Sequence, residues 1–143
     1  MATTVTVDLP YGQERLRFSL PRENLLAVVE PAEVPPVADP AAELLKAVRQ
    51  PIGARPLREL VRRGQKVLVI IDDNTRPTPQ HRILPVLLQE IAGAAPEVDI
   101  RILIAAGTHR AMTPEEIRQK VGAEVAARYP ILNHDWSDAG NLV

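Results

Sequence analysis

Asp72, Asp73, Asn74, Thr75 and Arg76 follow directly on an unbroken apolar run, Val67-Leu68-Val69-Ile70-Ile71. Further along, Gly107-Thr108-His109-Arg110 follows a second such run, Ile100 to Ala106. Arginine offers a planar fork to a carboxylate or phosphate. Histidine exchanges a proton near neutral pH. With the carboxylate, amide and hydroxyl beside them, these residue types suit a small anionic substrate, or a phosphorylated cofactor, that undergoes proton transfer. Helices starting after Thr78 and Thr113 would add backbone amides and dipoles that favour an anion.

Several other chemistries lack their required spacing. There is no GxxxxGK[ST] phosphate loop and no GxGxxG after a first strand. No histidine pair stands near Asp72-Asp73 at metal-site spacing, which leaves a two-metal hydrolase unsupported. No GxSxG elbow is present. The chain has no cysteine, which excludes disulfides, thiolate metal sites and cysteine nucleophiles. The net charge of −1 gives no electrostatic reason to expect nucleic acid. The N-terminal stretch shows no secretory pattern, and no apolar run approaches the roughly 20 residues that span a bilayer. A soluble, cytoplasmic protein without membrane or nucleic-acid partners is expected.

The elements that must position these residues are legible in the patterning. An uninterrupted β-branched run suits a strand covered on both faces, as in a parallel sheet. In such sheets ligands sit outside the carboxyl ends of the strands, where both polar loops fall. Between the two runs, Leu84, Leu87, Leu88 and Ile91 keep helical spacing up to about Ala94, with Thr78 as N-cap and Pro79 at N1. A crossover of this kind predicts a right-handed βαβ unit with its loops adjacent. Thr113-Pro114-Glu115-Glu116 predicts a helix start with a capping box. A third short strand is expected after Tyr129, leading into Asn133-His134-Asp135.

Before this core, residues 4–8 and 14–20 alternate, with Val5, Val7 and Leu9 on one face and Leu16, Phe18 and Leu20 on another. Pro10-Tyr11-Gly12 between them reads as a turn, so a β-hairpin is expected, followed by a short strand at 25–29. Pro31, Pro35, Pro36 and Pro40 mark an extended connector. Short helices are expected from Ala41 to Gln50 and from Pro56 to Arg63. The predicted fold is α/β: a Rossmann-like three-layer domain with a mostly parallel sheet, preceded by an N-terminal β-hairpin. The expected organisation is one domain over 1–143, with hairpin and strand at 1–30, connector at 31–40 and core at 41–143.

Three stretches together carry a resemblance to a known family: Asp73-Asn74-Thr75-Arg76-Pro77, then Gly107-Thr108-His109-Arg110-Ala111-Met112-Thr113-Pro114-Glu115-Glu116, then Asn133-His134-Asp135. In this order and separation they resemble the N-terminal part of the nickel-pincer lactate racemase family, over most of the chain from about residue 60. The resemblance implies an isomerase, a 2-hydroxy-acid racemase or epimerase that works by hydride transfer with histidine acid/base catalysis. It implies a nickel-pincer nucleotide, a nickel-bound pyridinium bis-thiocarboxylate mononucleotide. That cofactor would be bound mainly through a C-terminal domain beyond Val143. Carried onto this sequence, it makes His109 and Arg76 catalytic. It makes Asp73, Asn74, Thr75 and Arg76 cofactor-binding, and it puts no metal ligand here. On that reading the 143 residues alone are inactive.

A different class remains open beside it, a non-catalytic α/β module that binds a small anion or a nucleotide. Asp72 reads as a carboxylate bonding loop amides, and His81 as exposed in the first turn of its helix. His134 suits either a supporting role at the site or a structural turn.

Overall fold

The computed structural model describes residues 3–140. The chain divides into two compact units, 1–36 and 37–143.

The first unit is the expected hairpin. β1 (Thr4–Tyr11) pairs antiparallel with β2 (Glu14–Pro21), and a short 3-10 turn over Arg22–Asn24 follows. Val5, Val7 and Leu9 stand opposite Leu20, Phe18 and Leu16, so the two alternating patterns fall in one register. The turn itself is Gly12-Gln13, and Pro10 and Tyr11 belong to the strand. Gly12 takes a φ of 61°, a backbone state that glycine adopts without steric cost. Residues 25–29 form no strand: Leu25 follows the 3-10 turn as extended chain, and Leu26, Val28 and Val29 are exposed. An apolar run with no neighbour to pair with has nowhere to place its backbone hydrogen bonds in a ladder.

The second unit is built on a parallel sheet in the order β3-β4-β5, with β3 at Lys66–Asp72, β4 at Asp99–Ala105 and β5 at Ile131–Asn133. Five helices accompany it: α1 (Pro40–Arg49), α2 (Leu57–Leu60), α3 (Gln80–Ala94), α4 (Pro114–Val121) and α5 (Ala123–Arg128). The α/β class, the parallel sheet and the third strand after Tyr129 thus appear as expected. The Asp39 side chain caps α1, accepting from the amides of Ala41 and Ala42. The second short helix is smaller than the pattern from Pro56 to Arg63 suggests, because Val61 already turns to extended geometry.

The core lies between the sheet and the helices. Val69, Ile102 and Ile131 lie in register across the sheet and contribute to it. Leu84 and Leu88 of α3 and Val121 and Val125 of α4 and α5 close over them. Glu90, buried on α3, meets Arg49 of α1 at 2.6 Å and Arg58 of α2 at 3.6 Å, so an otherwise costly carboxylate ties three helices together.

The opposite face of the sheet carries another apolar row, Ile70, Leu103 and Leu132, again in register. Ile70 is 63% exposed and Leu132 50%. The unbroken apolar run therefore has one face covered among the described residues, and its exposure alternates strictly from Lys66 to Ile70.

This asymmetry is testable in urea unfolding of the chain. Ile102→Ala is expected to cost about 2–5 kcal/mol, as for other large-to-small core changes. Ile70→Ala is expected to stay within about 0.5 kcal/mol of the parent. Comparable losses at both positions would refute the one-sided core.

Candidate functional site

Both polar loops leave the sheet at the same edge, because the parallel register sets Asp72 opposite Ala105. The residues that follow can then meet across the two strands. His109 Nδ1 lies 2.6 Å from Asp73 Oδ2. The other oxygen of Asp73 accepts from the Thr75 hydroxyl at 2.6 Å and from the Thr75 amide at 3.1 Å. Asp73 is buried and His109 is about half exposed.

The Thr75 hydroxyl, then His109, hold the Asp73 carboxyl down at about 2, against the opposing effect of burial. Asp73 is therefore ionised at neutral pH and can only accept. The Nδ1 facing it must carry a proton, so any lone pair the ring offers is on Nε2. Nε2 has no hydrogen-bond partner among the described residues.

Arg76 stands in the same loop, exposed, and its guanidinium makes no hydrogen bond or ion pair among the described residues. It lines, with Asp72, Asp73, Thr75 and the segment 105–109, a cleft of about 290 Å³. His109 also borders a neighbouring cleft of about 360 Å³ with Arg110, Asn133, His134 and Trp136. His134 is half-buried, and its backbone amide donates to the Ile104 carbonyl at 2.9 Å.

The rest of the polar cluster braces these two loops. Glu116 is the centre of one set of contacts. It accepts from the two terminal guanidinium nitrogens of Arg110, at 2.6 and 2.8 Å, and from the Asn74 amide at 3.1 Å. It also completes the expected capping box with Thr113. Arg110 first, then the Thr113 amide, hold its carboxyl at about 2. Asn133 forms the other brace: its side-chain amide accepts from Met112 N at 2.9 Å and donates to Met112 O at 3.0 Å. This pairing fixes the loop just beyond His109.

Asp72 is held from three sides, by the Thr78 hydroxyl, by Gln80 Nε2 at 3.1 Å and by Lys120 Nζ at 3.0 Å. Burial opposes its ionisation, but these three partners together lower its carboxyl from the ordinary value. Thr78 is consequently not the N-cap of α3. Pro79 occupies that place without a side-chain cap, and the Thr78 hydroxyl is spent on Asp72. His81 is exposed.

The fold accordingly brings Asp73, Thr75, Arg76 and His109 to one cleft. Asn74 does not line it, and its amide is turned to Glu116. Lys120, Glu116, Gln80 and Asn133 were not among the expected site residues. Lys120 had a readable signal: it falls i+3 from Ile117, on the stripe that α4 buries.

Residues 11–143 match the family described as the lactate racemase N-terminal domain. The chain belongs to that family. It is 33% identical over 141 residues to a lactate racemase of Lactiplantibacillus plantarum, covering 97% of this chain and 33% of the relative. It is 30% identical over 138 residues to a lactate racemase of Thermoanaerobacterium thermosaccharolyticum, covering 95% and 32%. The structure of the T. thermosaccharolyticum lactate racemase apoprotein superposes with a TM-score of 0.77 at 29% identity, covering 96% of this chain and 32% of that one. A Thermotoga maritima protein of known structure gives a TM-score of 0.55 at 25% identity, covering 70% and 22%. The chain spans about a third of the length of the curated relatives it matches. No helix among the described residues is long and apolar enough to cross a membrane.

The Asp73 contacts have a pH signature. Its folded value of about 2 lies below the ordinary 3.8. The stability it contributes is therefore complete above about pH 4 and lost as pH falls through about 2. Asp73→Asn is expected to be less stable than the parent at about pH 6, with the gap narrowing between about pH 4 and pH 2 in denaturant titrations. A gap that stays constant over that range would show that the carboxylate is not held as described.

Proposed function

We propose that this chain is the N-terminal part of a 2-hydroxy-acid racemase or epimerase of the lactate type, with His109 as a proton-transfer residue and Arg76 as the carboxylate-binding residue. The observation that carries the proposal is the Asp73–His109 contact beside an arginine with an unengaged guanidinium. Asp73 fixes the ring of His109 and its tautomer. Nε2 is then ready to take the substrate hydroxyl proton and to return it. The Arg76 fork matches the planar carboxylate of a hydroxy acid with two parallel hydrogen bonds. Substrate orientation of this kind is a large part of what a site contributes before any bond breaks.

The α-hydrogen of a hydroxy acid is too weakly acidic for histidine to remove alone, so the reaction calls for a hydride acceptor. A nickel-pincer nucleotide, the cofactor implied by the family resemblance, supplies that acceptor when bound. The residues present fit it in part. The Arg76 cation suits the anionic organic portion of such a group, whereas the ionised Asp73 beside it does not. Among the described residues no three His, Asp or Glu side chains converge as metal ligands. In this chain the cofactor would therefore be met by Arg76 and the cleft wall. Asp73 and Thr75 would serve chiefly by shaping that wall, since their polar atoms are engaged with each other and with His109. Asn74 would act one step back, through Glu116.

The test uses the full-length protein loaded with the cofactor and assayed for inversion of several 2-hydroxy acids. His109→Ala is expected to retain cofactor and lose turnover by about 10²–10⁴-fold, the usual contribution of a positioned acid/base. Arg76→Ala is expected to raise KM for the hydroxy acid. Unchanged turnover in His109→Ala would remove His109 from the mechanism. Tight binding of organic acids with no inversion of any would favour the non-catalytic module.

A further inference from the structure

Lys120 sits in the last turn of α4, on the same helical stripe as Ile117 and beside Val121. Its side chain is only 7% exposed. An ammonium at such a place must find acceptors, because removing it from water unpaired is costly. It finds two. Nζ lies 3.0 Å from Asp72 Oδ1 and donates to the backbone carbonyl of Arg76 at 2.7 Å.

Those acceptors belong to two points of one loop. Asp72 ends β3, and Arg76 lies at mid-loop. The same Asp72 carboxylate also accepts from Thr78 and Gln80, where the loop enters α3. The start, the middle and the end of the loop are thus drawn onto one ammonium–carboxylate pair. The Arg76 amide is fixed as well, donating to the Asp73 carbonyl at 3.3 Å. Arg76 therefore combines an anchored backbone with an unengaged guanidinium. An anchored base lowers the ordering cost that a ligand must otherwise meet on binding.

We propose that Lys120 is a positioning residue for Arg76: its ammonium holds the Arg76 carbonyl and the Asp72 carboxylate so that the guanidinium is presented to the anionic group of the substrate. The inference rests on the role proposed above for Arg76, and its test separates the two.

In the full-length, cofactor-loaded protein, Lys120→Met is expected to raise KM for the hydroxy acid about tenfold, the scale of a lost charge-assisted hydrogen bond. The kcat should change far less, and cofactor content should be kept. Combined with Arg76→Ala, Lys120→Met should add nothing further to KM, since a positioning residue has no effect once its object is gone. In the cofactor-free full-length protein, amide hydrogen exchange across residues 73–78 should accelerate in Lys120→Met, while exchange in β4 stays unchanged. This readout does not depend on what the protein catalyses.

Unaccelerated exchange in 73–78 would overturn the clamp, whatever the activity. Accelerated exchange with a KM effect additive to that of Arg76→Ala would overturn the positioning of Arg76. A wild-type protein that inverts no hydroxy acid, with exchange in 73–78 still accelerated in Lys120→Met, would sink the functional reading and leave the clamp standing. Should Lys120→Met strand the Asp72 charge and lose the fold, Asp72→Asn/Lys120→Met removes both charges and is read by the same two measurements.

Discussion

The parallel pairing of β3 with β4 is the constraint on which the site depends. Antiparallel strands would send the Asp73 and His109 loops to opposite ends of the sheet. A register displaced by one pair would shift the two loop exits against each other by about 3.3 Å, more than the 2.6 Å contact between Asp73 and His109 could absorb. The register is specified by the core: Val67, Val69 and Ile71 must face the same helices as Ile100, Ile102 and Ile104. A one-residue slip would turn one strand's buried set to solvent. Geometry at the loop edge is therefore fixed by hydrophobic burial well below it.

Given that register, the loops are stabilised by charges rather than by apolar packing. Three carboxylates, Asp72, Asp73 and Glu116, each accept several hydrogen bonds and are held below their ordinary values. Their partners are loop hydroxyls and amides, two basic side chains and one histidine. Backbone in such loops cannot find ladder partners, so side chains must satisfy it. Asn133 does this most directly, treating Met112 as though it were the next residue of a strand. Met112 is then buried with both its backbone groups paired.

Much of this was legible in sequence. The apolar runs at 67–71 and 100–106, the spacing of Leu84, Leu88 and Ile91, and the Thr113–Glu116 capping box each carry a local signal with one physical reading. The meeting of His109 and Arg76 at one cleft was legible because both follow strand ends, which a parallel sheet sets side by side. What was not legible depends on pairs distant in the chain. Nothing local reveals that the Thr78 hydroxyl serves Asp72 in preference to capping α3, or that Asn74 reaches Glu116. The unbroken run at Val67–Ile71 suggested cover on both faces, yet exposure alternates along β3. Apolarity of a strand reports what its faces can tolerate, and it does not report what lies against them. Residues 25–29 failed for a related reason: β propensity without a partner strand makes extended chain.

The distribution of engaged and unengaged groups separates bracing from chemistry more sharply than residue type does. Asp73, Asn74, Thr75, Arg110 and Glu116 are all polar and lie in or beside the two loops, but each spends its hydrogen-bonding capacity on another protein group. Apart from the Thr108 hydroxyl, two groups at the cleft differ among the described residues, the Arg76 guanidinium and Nε2 of His109. They differ in character as well, one a permanent cation and the other a basic nitrogen on a ring whose orientation is fixed through Nδ1. A cation held at its backbone and a base held at its far nitrogen leave little freedom except at the atoms that would meet a ligand. That arrangement suits a hydroxy acid, whose carboxylate and hydroxyl are adjacent and need two unlike partners at a fixed separation.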